Sequence, residues 1–248
     1  KDAAGNNAVL SHALVSDNAS YMVDTLAPTV SSVVIDDKLI TDADGSKTVT
    51  ATITFSEAMN QTLAPTITNN ANTTLTNAVN GKWTSSTTYT IEYKVADVNV
   101  ELADVKFNVS GAKDLAGNTQ TAVTDVTTGT KIDTLAPTVS SVAITSATGI
   151  ENATLNAGDV VTVTVVMSEV TTVTGTPQLD LNIGGTTVQA NYKAGSGTNT
   201  LTFTYTILAT QTDANGISIA ANALKLNSGT LKDAAGNNAV LSHALVSD

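Results

Sequence analysis

The stretch Thr200-Leu201-Thr202-Phe203-Thr204-Tyr205-Thr206-Ile207 alternates threonine with a large apolar residue through eight positions. A period of two places Leu201, Phe203, Tyr205 and Ile207 on one face of an extended strand and the four threonines on the other. Residues 48–55 (TVTATITF) and 88–95 (TYTIEYKV) repeat the pattern, and residues 159–167 form a near-continuous Val/Thr run suited to a central strand. Asp44-Gly45, Asn80-Gly81, Gly184-Gly185 and Asn215-Gly216 read as turns between such runs. No window of about 11 residues carries helical spacing.

The alternation is embedded in a repeat. Residues 1–17 (KDAAGNNAVLSHALVSD) recur letter for letter at 232–248, an offset of 231 residues (232 − 1). Inside that period DTLAPTVSSV occurs at 24–33 and again at 133–142, and KDxAGN occurs at 1–6, 113–118 and 232–237. Such identity does not arise by chance, so the chain reads as a stretch of a tandem array with two related units per period, of about 109 and 122 residues. The predicted organisation is the terminal strand of a preceding unit at 1–23, a first unit at 24–132 and a second at 133–248. Lys1 is not a natural start, so targeting information is expected outside this stretch. Each DTLAPT is a linker whose proline, Pro28 or Pro137, fixes φ and holds the preceding residue extended. Roughly seven short strands per unit predict an all-β fold of tandem immunoglobulin-like β-sandwich domains.

Composition narrows the function. Eleven lysines stand against 22 acidic residues, a formal net charge of −11, and arginine is absent. An acidic surface without guanidinium forks repels polyanions, so no nucleic-acid partner is expected. Threonine fills roughly one position in six while charged residues make up 13%, which suits sheets with neutral polar faces. The absence of cysteine removes disulfides, thiolate metal sites and cysteine nucleophiles. No apolar run approaches the ~18 residues of a transmembrane helix, so this segment is not expected to insert into a membrane.

No catalytic constellation is legible, and an enzyme is not expected. His12 and His243 are one position in two copies of the repeat, each read as a strand-surface residue without a partner carboxylate. Trp83 is read as core beside Phe55 and Tyr89. Asn-x-Ser/Thr sequons such as Asn18-Ala19-Ser20 and Asn72-Thr73-Thr74 carry little information where Asn and Thr abound, and no motif singles out a Lys–Asn crosslink.

The carboxylates recur at motif positions. Asp24 and Asp133 lie in the linkers, Glu57 and Glu169 at the Ser-Glu ends of the second main strand, and Asp114 and Asp233 in the KDxAGN turns. In a seven-strand sandwich the B–C and F–G loops share one end with the entering chain. Asp24, Glu57 and Asp114 should therefore converge at one pole of the first unit, and Asp133, Glu169 and Asp233 at the matching pole of the second. Three carboxylates without a cationic partner repel one another, and Ca2+ is the hard oxygen-seeking ion that relieves this. Zinc or copper would call for His or Cys. Asp42 and Asp44, in the first unit's A–B turn, point towards the second unit, and Asp213 and Asn215 lie in the second unit's E–F turn. Both segments match D-x-[DN]-G, the opening of many calcium loops and also of plain turns.

Taken together, DTLAPT, a strand ending in Ser-Glu, GTNTLTFTYT, DANGI and KDxAGN resemble the bacterial Ig-like repeats of giant surface adhesins, the biofilm-associated and type I-secreted RTX adhesin families. The second unit fits from residue 133 to 238. The first fits at its linker, at TFSEAM (54–59) and at KDLAGN, and departs in its middle. The resemblance implies an extracellular location on the bacterial cell surface, a stalk with calcium at its domain junctions, and adhesion or biofilm formation mediated by terminal domains elsewhere. The expected partners are neighbouring repeats of the same chain. Two other readings stand beside the stalk: a ligand-binding module using the threonine ladder at 200–206 on glycan or ice, and an S-layer or matrix filament. Residues 1–17, a strand without its own unit, are expected to seek a sheet, through strand-mediated self-association or through the preceding repeat.

Overall fold

The computed structural model describes residues 1–247. In the first unit the chain forms β1 (Val30–Ile35), β2 (Leu39–Thr41), β3 (Thr48–Phe55), β4 (Thr66–Asn69), β5 (Leu75–Trp83), β6 (Thr88–Val95), β7 (Glu101–Leu102), β8 (Lys106–Ser110), β9 (Val123–Thr127) and β10 (Lys131–Asp133). One layer has the order β1-β3-β6-β5 and the other β4-β8-β9, seven strands in two sheets. The remaining three make a small sheet, β2-β10-β7, in which β10 runs parallel to β2 and antiparallel to β7. A single 3-10 turn, Asp42–Asp44, follows β2. The architecture is all-β.

Alternation drives the packing. Val49, Ala51, Ile53 and Phe55 of β3 are buried, and Tyr89 and Tyr93 of β6 stand opposite Ile53 and Val49 across the ladder. Each large side chain buried in this way contributes about 1.5–3 kcal/mol relative to exposure. Trp83 packs between Phe55 and Tyr89, at ring-centroid distances of 5.4 and 5.3 Å, and donates its indole N–H to Leu63 O. Asn80-Gly81 is not a turn. It lies inside β5, where Asn77 and Asn80 take positive φ and the register with β6 shifts twice. Gly81 leaves room for the Tyr89 ring, since a Cβ there would fall against the Tyr89 hydroxyl and force it to shift.

The second unit has β11 (Val139–Thr148), β12 (Val160–Thr174), β13 (Gln178–Ile183), β14 (Thr186–Ala194), β15 (Thr198–Thr206), β16 (Leu224–Lys225) and β17 (Thr230–Lys232). They form one wrapped sheet, β11-β12-β15-β14-β13-β16, with β17 on the far half of β12. β14 bonds to both β13 and β15, so the two layers are continuous at that edge instead of separate. Val161, Val163 and Val165 oppose Tyr205, Phe203 and Leu201, the apolar face read from the sequence. β12 does not stop at Ser168-Glu169. It shifts register after Val166 and continues through Glu169 to pair with β17. Gly184 and Gly185, both at positive φ, close the β13–β14 hairpin.

Two hydrophobic cores result, one of residues between Val33 and Ile132, the other between Val161 and Leu231. The connection between them is tied down on both sides. Ile132 is 2% exposed in the first core, and Thr134 N–H donates to Val100 O at 2.9 Å. Pro137 O accepts Val240 N–H at 2.8 Å, and Thr138 N–H donates to Ser168 Oγ at 2.9 Å. Leu135 and Ala136 lie between these anchors. Residues 1–23 join no sheet and are exposed throughout.

Candidate metal centre at the unit junctions

The KDxAGN motif builds its turn around its own aspartate. Asp114 Oδ1 accepts the N–H groups of Gly117 and Asn118 at 2.7 and 2.8 Å, and Asn118 Nδ2 donates to Oδ2 at 2.8 Å. Asp233 repeats these bonds with Gly236 and Asn237, and Asp2 makes the counterpart set with Ala4 and Asn6 in the exposed segment. Local sequence therefore suffices for this turn. It presents a carboxylate beside the linker that enters each unit.

At the outer pole of the first unit Asp24, Glu57 and Asp114 each offer an oxygen within 4.8 Å of the others. Among the described residues no other trio of His, Cys, Asp or Glu meets that spacing. Asp114 is 1% exposed, whereas Asp24 is open to solvent. Loss of hydration and the charges of Asp24 and Asp114 hold Glu57 above its ordinary value. For Asp114, loss of hydration is outweighed by the bonds from Asn118 and the turn, which hold it low and ionised.

The inner junction draws groups from both units. Burial and the charges of Asp233, Asp133 and Glu101 raise Glu169. Burial, with the charges of Asp233 and Glu101, raises Asp133 against the lowering bond from Leu135 N–H. Across the junction, burial and the charges of Asp97, Asp233 and Asp133 raise Asp42. Asp42 Oδ1 is shielded from water and has no hydrogen-bond donor. A carboxylate oxygen in that state is costly unless a cation or proton answers it. Asn237, 2% exposed, links the two sides: its Nδ2 donates to Asp133 O at 2.9 Å and Asp233 Oδ2 at 2.8 Å, and its Oδ1 accepts Asp42 N–H at 3.0 Å.

The other predicted residues have different surroundings. Asp44 is buried, with both oxygens occupied by Thr41 and Lys47; despite its burial those bonds hold it low. It caps the 3-10 turn that carries Asp42. Asp213 joins neither cluster; it accepts Gly184, Asn215 and Gly216 N–H groups and braces the second unit's far loops, with Asn215 in the same turn. His243 is not a plain surface residue. Its Nε2 accepts Ala223 N–H at 2.8 Å, which assigns the proton to Nδ1, facing Ala244 O. The threonine ladder is partly covered: Thr202 and Thr204 are half-buried, and Thr164, in the adjoining strand opposite Thr202, shares a hydrogen bond with Thr145.

Sequence reading missed Asn237, Asp97 and Glu101. Asn237 had a signal, the asparagine that closes all three KDxAGN copies. Asp97 and Glu101 had none, since they reach the junction only through the connection after β6 and the placement of β7. The donors at both poles are all oxygens, and among the described residues no lysine or histidine forms an ion pair with them, which fits Ca2+ and not a thiolate- or imidazole-seeking metal.

No protein-family description matches the sequence, and no curated protein is significantly similar to it. Among solved structures the chain is similar to the Yersinia pseudotuberculosis adhesin InvE, with 15% identity and a TM-score of 0.29. That match covers 81% of this chain and 57% of the other, so the chain spans a little over half of that structure's length.

Proposed function

We propose that the chain is a stalk segment of a long extracellular bacterial adhesin whose successive units are locked end to end by calcium. The observation that carries the reading is the outer pole, where Asp24, Glu57 and Asp114 each offer an oxygen within 4.8 Å of the others. At the inner junction Asp42 Oδ1 is shielded and has no donor, and the charges of Asp133 and Asp233 act on both Asp42 and Glu169. Asp42, Asp133, Glu169 and Asp233 would hold one ion there, and Asp24, Glu57 and Asp114 a second at the outer pole. Bound calcium removes the mutual repulsion and ties both sides of a two-residue hinge, turning adjacent sandwiches into a rod. The tandem repetition, the neutral threonine faces and the resemblance to surface-adhesin repeats support the stalk role. Terminal domains elsewhere would make the attachment.

Isothermal calcium titration tests the reading. The parent should bind two ions per chain, and Glu169→Gln should weaken the inner site while leaving the outer one. Absence of binding at millimolar calcium would overturn it.

A further inference from the structure

The second unit carries a cleft of about 490 Å³ lined by Ile144, Leu155, Val161, Ile207 and Ile217. The two units share a pair of backbone bonds beside it, and in each a buried residue pairs with the unit's final segment. In the first, Ser46 N–H donates to Val95 O at 2.9 Å and Val95 N–H to Lys47 O at 2.8 Å. In the second, Gly158 N–H donates to Ile207 O at 2.9 Å and Ile207 N–H to Asp159 O at 2.8 Å. Val105 and Ile219, both fully buried, pair with the final segment of their units through Val105 N–H to Thr130 O and Ile219 N–H to Val246 O. The cleft is therefore the second unit's counterpart of the pole that β2, β7 and β10 close in the first.

What closes it in the first unit is Ile132. It is 2% exposed, paired with Ile40 on one side and Leu102 on the other. Ile35, in the same core, is 1% exposed. Ile144 occupies the position of Ile35 by its spacing from the DTLAPT motif, yet is only half-buried. Among the described residues the second unit has no counterpart of Ile132.

The sequence supplies one elsewhere. Lys131-Ile132-Asp133-Thr134-Leu135-Ala136-Pro137 aligns with Met22-Val23-Asp24-Thr25-Leu26-Ala27-Pro28, identical from the aspartate onward. Residues 1–17 equal 232–248, so residues 18–24 are what a period of this sequence places after such a final segment. Tyr21, Met22 and Val23 are 81%, 87% and 88% exposed, as open as Val9, Leu10, Leu14 and Val15 in the same leading segment, and touch neither core. Asn18 accepts Tyr21 N–H in a tight turn just before them.

We infer that the cleft is the seat for the Tyr21–Asp24 segment of a second copy of this chain, with Val23 taking the part that Ile132 plays in the first unit. Each second-type unit is then completed by the leading segment of the unit that follows it. This docking also carries Asp24, Glu57 and Asp114 onto the far pole of the preceding unit. The inference rests on the tandem-repeat reading but not on calcium, so its test is run in chelator.

The full chain is extended after Asp248 with a copy of its own residues 18–29, and hydrogen exchange is compared with the parent chain. The extension should exchange at least ~10-fold more slowly than an unstructured peptide, with added protection around Ile144, Leu155 and Ile207. The second unit's thermal midpoint should rise in parallel. The same extension carrying Val23→Asp in the appended copy should lose both effects, the parent supplying the baseline for a folded second unit. An extension that exchanges freely would overturn the assignment. So would equal protection by the Val23→Asp extension, which would show that the apolar seat is not what holds the segment.

Discussion

Replacing Asn237 by alanine isolates the protein's own share of the coupling between units. The side chain makes three hydrogen bonds of good length: Nδ2 to the Asp133 carbonyl and to the Asp233 carboxylate, and Oδ1 from Asp42 N–H. Two neutral bonds at about 1 kcal/mol each and one to a carboxylate at about 1.5–3 kcal/mol sum to about 4 kcal/mol. Water entering the vacated space recovers part of this, leaving a loss of about 3 kcal/mol. With about 4 °C per kcal/mol for a unit of this size, the transition of the coupled units should fall by roughly 10 °C. Asn118→Ala is the internal control. Asn118 holds the equivalent place in its turn but is half-buried, and its link to the linker, Nδ2 to Asp24 O, is 3.2 Å. Its loss should cost about half as much. Differential scanning calorimetry in chelator reads both variants, and the parent's merged transition should split in Asn237→Ala. A shift for Asn237→Ala no larger than for Asn118→Ala, with the transition still single, would refute the bridging role.

Two further outcomes follow from the same contacts. Asp42, Asp133 and Glu169 are held above their ordinary values, so the folded state binds their protons more tightly than the unfolded state. Their contribution is full below the ordinary 3.8 and 4.5 and is lost as pH rises through the raised folded values. In chelator the junction should therefore gain stability as pH is lowered from 7 towards those values, until Asp44 and Asp114, held low, begin to lose their bonds. In saturating calcium the slope should reverse, because protons then compete with the ion. Thermal melts across pH in both conditions check the sign. His243→Ala leaves the buried Ala223 N–H without its acceptor and should cost about 1–3 kcal/mol by denaturant titration, whereas His12→Ala, the same residue in an exposed copy of the same sequence, should be within about 0.5 kcal/mol of the parent.

The strands were legible because threonine and valine alternate with few exceptions: residues 48–55 and 88–95 are β3 and β6 to the residue. The spacing of Asp24, Glu57 and Asp114 in linker, strand end and turn was enough to place them at one pole, since each motif fixes its own local geometry. Asn80-Gly81 misled because positive φ at asparagine, here Asn77 and Asn80, serves a bulge within a strand as readily as a turn between strands. Ser168-Glu169 misled similarly, as a register shift in a continuing strand resembles a strand end. Asp97 and Glu101 could not be read from spacing, because pairing across 30 residues brings β7 beside β10. His243 was hidden by its identical twin: the sequence of His12 and His243 is the same, and only the neighbouring Ala223 backbone gives one of them a role.

The central claim, that calcium locks the junction, is tested most directly by small-angle scattering of the parent chain during a calcium titration. In chelator, where the Asn237 bridge alone couples the units and the junction carboxylates repel one another, the pair should scatter with a wider angular spread about Leu135 and Ala136 than in calcium. Saturating calcium should give a single extended particle, with a larger maximum dimension and a narrower distribution of interparticle distances. The midpoint should coincide with the binding of the inner ion, and Glu169→Gln should shift it to higher calcium. Scattering profiles that superpose in chelator and in millimolar calcium, for a chain shown to bind the ion, would contradict the account.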